Sequence, residues 1–246
     1  MLKKVLIISD NIYLCKKLNC LFFNYKKKYD FTFSTSPYSS SVDFKNELNE
    51  KVIVFNLKEN NDIKFITMNF NLVLSIHCKQ LFPKELFENI KCINIHPGYN
   101  PINRGWYPQV FAIVNNLPVG ATIHEIDEKI DHGNIIARSF VDVEIFDTSK
   151  TLYDKILIKE IELVRDNLDA ILNESYDTFL PEEEGRVHLK KDFRQLCELN
   201  LIESTTTFQI INKLRALSHG SFKNAYFIDP ESGKKIYVSI DLKPED

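Results

Sequence analysis

Glycine is scarce in this chain, 7 residues in 246, and none of them builds the GxGxxG turn of a dinucleotide-binding unit. The first apolar run, "KKVLIIS" (3–9), passes instead into "SDNIYL", which speaks against a classical NAD site. Cysteine is sparse and odd in number. Cys15, Cys20, Cys78, Cys92 and Cys197 show no CxxC spacing, so the thiols read as reduced, outside any disulfide framework or zinc site. Long apolar runs are missing, which excludes a helical membrane span. In "MLKKVLIISDN" the polar residues Ser9, Asp10 and Asn11 cut the apolar run too short for a signal sequence. A cytoplasmic protein without membrane contact is expected. Basic charge is not in excess either: the net charge is −3, against a protein that grips nucleic acid through its phosphates. A small anion held by two or three local cations remains open. There is no internal repeat and no low-complexity segment.

What is present is an ordinary globular composition, 44% hydrophobic and 26% charged, long enough for one large domain or a domain with a small appendage. "KKVLIIS", "KVIVFNL" (51–57), "NLVLSIH" (71–77) and "CINIH" (92–96) are continuous apolar runs, as expected of strands buried on both faces. Leu14, Leu18, Leu21 and Phe22 fall at helical spacing after the first run. "PKELFENI" (83–90) opens with a proline suited to a first helical turn, and "YPQVFAIVNN" (107–116) is a further short helix. Strands alternating with helices predict an α/β fold, a doubly wound and mostly parallel sheet. Beyond Gly120, "GATIHEI" and "GNIIARSFVDVEI" are two more strands. A long helix is expected over 149–172, with Ser149 as its N-cap. The polar "PEEEGRVHLKKD" reads as a boundary, dividing 1–180 from a tail at 181–246 with one helix and a two-strand hairpin around "PESGK". Such a hairpin needs a surface to pack on, the main domain or a second copy of the chain.

Special residues crowd into "CINIHPGYNPINRGWYPQ" (92–109). Asn94 and His96 alternate along one strand, so both side chains share a face at its carboxyl end, where doubly wound sheets bind ligands. An amide beside an imidazole offers a donor for an oxyanion and an acid or base near neutral pH. Asp131, in "IDHG", is a carboxylate that orients the imidazole or shuttles a proton. The competing reading is a satisfied histidine that closes a strand.

Taken together, "NIHPGYNPINRG" and "GATIHEIDEKIDHGNII" resemble the signature of the folate-dependent formyltransferases, over roughly residues 70 to 140. The resemblance implies a Rossmann-like formyltransferase fold and a catalytic trio of Asn94, His96 and Asp131. It also implies 10-formyltetrahydrofolate as formyl donor, a primary amine as acceptor, and no metal. The folate-binding segments of the family match Cys78, Lys79, Gln80 and Leu81, and Asp127, Glu128, Lys129 and Ile130 with Asp131. Leu81 and Phe82 are candidate crevice walls, with core packing as the alternative for Phe82.

The chain also resembles the nucleotide-sugar N-formyltransferases, which implies a dTDP-amino-dideoxysugar acceptor such as dTDP-4-amino-4,6-dideoxyglucose, for surface polysaccharide (O-antigen) synthesis. In that reading Lys79 and Arg104 serve a pyrophosphate, or are solvated surface charges. Tyr99, Trp106 and Tyr107 cover the base or sugar, while Asn100 and Gln109 bond sugar hydroxyls or phosphate. His124 is expected to be structural, and His132 could fall on either side. The hairpin is expected to form a homodimer, as in related enzymes. A glycinamide ribonucleotide acceptor is disfavoured because no glycine-rich loop follows strand 1. The remaining alternatives are another small amine, a binding protein that lost its chemistry, and a hydrolase; relatives of the last carry an N-terminal regulatory domain before strand 1.

Overall fold

The structure, a computed structural model, describes residues 2–245. Strand β1 (Lys3–Ser9) runs through the centre of the molecule, with Val5, Leu6, Ile7 and Ile8 fully buried. Asn11, just past its end, caps helix α1 (Ile12–Phe22), its side chain accepting from Leu14 N at 3.0 Å. Leu14, Leu18 and Phe22 form the buried stripe of α1. There follow β2 (Tyr29–Thr35), α2 (Ser41–Leu48), β3 (Val52–Val54), α3 (Asn60–Asn69), β4 (Leu72–Ile76), α4 (Lys84–Phe87) and β5 (Lys91–His96). Next come β6 (Arg104–Gly105), α5 (Pro108–Asn115), β7 (Val119–Glu125), β8 (Ile135–Val141) and α6 (Ser149–Asn173).

One seven-stranded sheet has the order β3-β2-β1-β4-β5-β7-β8. Its first five strands are parallel, while β7 is antiparallel to both β5 and β8. The expected mostly parallel, doubly wound architecture is therefore what the chain adopts. One face packs on α1, α2 and α6 through Ile7, Leu74, Ile95, Leu157 and Val164. The other packs on α3 and α4 through Leu6, Ile8, Val73, Ile66 and Leu86. From β1 the chain winds outward to β3 and returns to β4 on the other side of β1. The carboxyl ends of β1 and β4 thus flank the crevice where such sheets take their ligands.

The tail comprises β9 (Val187–His188), α7 (Lys190–Cys197), α8 (Thr207–Leu217), β10 (Tyr226–Ile228) and β11 (Lys235–Tyr237). β10 and β11 form the expected antiparallel hairpin. Ala216, Leu217 and Ala225 share a third core with Val110, Ile113 and Leu152, which seats the tail on α5 and the start of α6. The segment before α7 crosses back along the β8 edge of the main sheet. Phe179 bridges Ile135, and β9 pairs in parallel with β6. Gly105 is required at that crossing, because at φ +88° a Cβ would stand 2.2 Å from the carbonyl oxygen of His188.

Several local expectations are corrected. Thr148, not Ser149, caps α6: its hydroxyl accepts from Thr151 N while Thr151 Oγ1 accepts from Thr148 N. Pro83 is the N-cap of α4 rather than part of its first turn. Only Val52–Val54 of the 51–57 run forms a strand, at the sheet edge. β2, α2, α3 and α7 lie outside the sequence reading altogether.

Candidate active site

β5 delivers Asn94 and His96 to one place, and the loop after β7 brings Asp131 onto them. The His96 ring is buried, and Nε2 lies 2.8 Å from the carbonyl oxygen of Asn103. A carbonyl only accepts, so this contact puts the hydrogen on Nε2 and leaves a lone pair on Nδ1. Nδ1 faces Asp131 Oδ2 at 3.6 Å. Burial depresses the His96 pKa, and the raising effects of Asp131 and of the Asn103 carbonyl do not offset it. The ring is therefore a neutral base near pH 7.

Asp131 is held in a left-handed conformation, φ +46°. Gly105 N donates to its Oδ2 at 2.9 Å, and Asn94 Nδ2 donates to its Oδ1 at 3.3 Å. Burial alone raises its pKa, but the imidazoles of His96 and His124 with the Gly105 N–H outweigh that and hold it well below the usual carboxylate range. Asn94 spends its second N–H on His124 Nε2 at 3.2 Å, while His124 Nδ1 is fixed by the carbonyl of Glu125 at 2.7 Å. His124, expected as merely structural, thus orients the Asn94 amide. It stands directly opposite Asn94 in the antiparallel β5–β7 register. Thr122 stands opposite His96 and fixes the following loop, accepting from Asn100 N at 3.0 Å and donating to the Gly98 carbonyl at 2.7 Å.

The donor-side segments lie beside this trio. Gln80 is anchored through its side chain, accepting from Leu57 N at 2.9 Å and donating to Phe55 O at 3.0 Å. Lys79 N donates to Asp10 Oδ2 at 2.6 Å, leaving an exposed ammonium. Cys78 is a poor nucleophile, its thiol pushed up to about 12 by burial. Leu81 is 75% exposed, whereas Phe82 packs on the α3–α4 core. Asp127 accepts from Lys129 N and pairs with His132 Nδ1 at 2.6 Å. Glu128 is exposed, and Ile130 offers its carbonyl to Arg104.

The acceptor-side candidates are more deeply engaged within the protein. Arg104, a candidate for a pyrophosphate, is buried and donates to the carbonyls of Ile130 and Glu184, so its guanidinium ties the Asp131 loop to the crossing segment. Asn100 is buried too, and its amide donates to the Asp131 carbonyl at 3.0 Å, which helps position the carboxylate. Gln109 is buried against Ser149 Oγ. Each expected aromatic wall already has a protein partner. Tyr99 stacks on Phe140 at 3.7 Å, Tyr107 on Phe193 at 4.1 Å, and Lys190 Nζ lies 3.9 Å from the Trp106 ring centre.

Comparison with known proteins agrees with this architecture. A family model described as "Formyl transferase" matches residues 17–168, and one described as "N-formyltransferase dimerization C-terminal domain" matches 192–244. A dTDP-4-amino-4,6-dideoxyglucose formyltransferase of Mycobacterium tuberculosis (strain ATCC 25618 / H37Rv) is 48% identical over 180 residues, 73% of this chain and 76% of that protein. A sugar N-formyltransferase from a Shewanella species superposes with a TM-score of 0.92 at 38% identity, covering 99% of each chain. A 4-N formyltransferase from Francisella tularensis gives the same TM-score, identity and coverage. Fold and matches together define a one-carbon group transferase. The chain belongs to the formyl transferase family, as the resemblance in its sequence implies.

Proposed function

We propose that this enzyme moves the formyl group of 10-formyltetrahydrofolate to the amine of a dTDP-amino-dideoxysugar, most specifically dTDP-4-amino-4,6-dideoxyglucose. The observation that carries the reading is the neutral Nδ1 of His96 facing an ionised Asp131 beside the Asn94 amide. The similarity to sugar N-formyltransferases over the whole chain supports the acceptor class.

The amine nitrogen attacks the formyl carbon. One N–H of Asn94 leaves its 3.3 Å contact with Asp131 and donates to the developing oxyanion. His96 Nδ1 takes the amine proton, and the imidazolium so formed lies against the Asp131 carboxylate. That proton then passes to the folate nitrogen as the carbon–nitrogen bond breaks. We further read residues 1–180 as the catalytic domain and 181–246 as a unit that forms a homodimer through its hairpin, in the cytoplasm. The product is a formamido sugar for surface polysaccharide.

An acceptor screen by mass spectrometry tests this. Purified protein is incubated with 10-formyltetrahydrofolate and, separately, dTDP-4-amino-4,6-dideoxyglucose, its 3-amino isomer, a UDP-4-amino sugar and glycinamide ribonucleotide. Addition of one formyl group to the 4-amino dTDP sugar, with at least about tenfold slower reaction of the other three, is expected. Preference for glycinamide ribonucleotide overturns the sugar assignment.

A further inference from the structure

A second polar cluster lies beside the trio, at the crevice between β1 and β4. Register sets Ser75 beside Asn94 and Ile76 beside Ile95, so His77 follows next to His96. Strand alternation would keep His77 in line with Val73, on the face covered by α3 and α4. Its ring turns the other way. Nε2 meets Glu160 of α6, on the opposite face, at 2.8 Å from Oε1 and 3.0 Å from Oε2. A left-handed φ of +53° at His77 makes the reversal, a conformation disfavoured for a residue with a Cβ and held only by its contacts. The contact that holds it is a carboxylate with no solvent exposure at all. A strained backbone and a buried charge, spent on aiming one ring beside a reaction centre, mark a functional arrangement.

The hydrogens of the cluster do not balance. A carboxylate only accepts, so Nε2 carries the hydrogen and Nδ1 of His77 presents one lone pair. Two donors converge on it, Asn11 Nδ2 at 3.1 Å and the Tyr153 hydroxyl at 3.2 Å. Asn11 Nδ2 also donates to the Tyr153 oxygen at 3.1 Å. Asn11 therefore brings two hydrogens and Tyr153 one, for a single lone pair and one phenol oxygen. One hydrogen is surplus, and it is the phenol's when Asn11 serves both acceptors. Burial, then the Glu160 charge, raise the Tyr153 pKa, so the phenol keeps its hydrogen. His219 from the tail backs the tyrosine, with ring centres 5.7 Å apart, and is itself bonded to Ser149 Oγ at 3.0 Å.

We propose that Tyr153, set by Asn11 and the His77–Glu160 pair, is an oxygen-binding subsite for the acceptor, donating its hydroxyl hydrogen to a sugar hydroxyl or a phosphoryl oxygen. The subsite rests on the acceptor class proposed above and names the residue that contacts it. His77 and Glu160 are positioning residues, which act through the tyrosine.

The test compares wild type with Tyr153→Phe, which removes the hydroxyl and keeps the ring. Calorimetric titration with dTDP alone and with dTDP-4-amino-4,6-dideoxyglucose is combined with steady-state kinetics in both substrates. Acceptor KM rises about tenfold, while kcat and donor KM stay within about twofold. Weaker binding of dTDP itself assigns the oxygen to a phosphoryl group; weaker binding of the amino sugar alone assigns it to the sugar. His77→Asn, a residue that tolerates the left-handed backbone, weakens the acceptor in the same way. Unchanged acceptor binding in Tyr153→Phe overturns the subsite, and so does an equal rise in both KM values. If the wild type binds dTDP but transfers no formyl group, and Tyr153→Phe binds dTDP more weakly, the proposed reaction falls and the subsite stands.

Discussion

Replacing His96 by alanine is expected to lower kcat/KM on the order of 10³-fold, within the range for loss of a positioned general base. Donor and acceptor binding, read by calorimetry, should change little, because neither the anchored Gln80 segment nor the β1–β4 crevice depends on this ring. The wild-type pH profile follows from the same geometry. Burial places the His96 pKa below its ordinary value of 6.5, so the basic form persists on that side. The acid limb of kcat/KM therefore lies below pH 6.5, and activity falls as His96 gains its proton. Stability carries the same sign. Between the depressed folded value and the unfolded one the unfolded chain binds more protons, so stability increases with pH across that window. Asp131 adds a second increment that is complete above its unfolded value and lost toward its own depressed one. An acid limb at or above pH 6.5, or a His96→Ala enzyme with near wild-type turnover, would remove the imidazole from the proposed role.

Gly98→Ala carries the second large effect, and it separates activity from folding. A Cβ at this position would stand 2.5 Å from Asn103 O and 2.5 Å from His96 Nε2, the two atoms whose hydrogen bond fixes the tautomer. Something there must move. The expected result is a loss of about a hundredfold in kcat, the scale set by displacing a catalytic group by about 1 Å. The expected fall in unfolding free energy is only about 1–3 kcal/mol, as for other overpacked sites. Chemical denaturation alongside kinetics checks both halves. Wild-type activity in this variant would show that the Asn103 contact does not control the imidazole.

The strands that build the site were legible because burial on both faces writes a continuous apolar run. β1, β4 and β5 are such runs, and Asn94 and His96 stood out as polar residues within the last of them. "YDFTFST" is β2, with Phe31 stacked on Phe22 of α1; it lacks a continuous apolar run and instead alternates aromatic with polar residues, the pattern of a half-buried strand. His124 could not be assigned from its own surroundings, because its role depends on the antiparallel register that puts it opposite Asn94. Arg104 looked like a free cation for a similar reason. The carbonyls that occupy it come from Ile130 and Glu184, and no local pattern joins those segments. Glu160 did leave a signal. It is a carboxylate on the apolar stripe of α6, between Ile156 and Val164, where only a partnered charge survives burial.

The pairing of β9 with β6 bears on how a nascent chain acquires its chemistry. All the strands flanking the crevice precede residue 97, and the trio itself is present once residue 131 has been synthesised. Yet Arg104, which steadies the Asp131 loop, finds its second carbonyl at Glu184, and Gly105, which holds the carboxylate, is pinned by His188. Chains emerge from the ribosome N-terminus first. The last fastening of the reaction centre therefore waits until the crossing segment has left the exit tunnel, and a truncated translation product carries every catalytic side chain without the frame that aligns them.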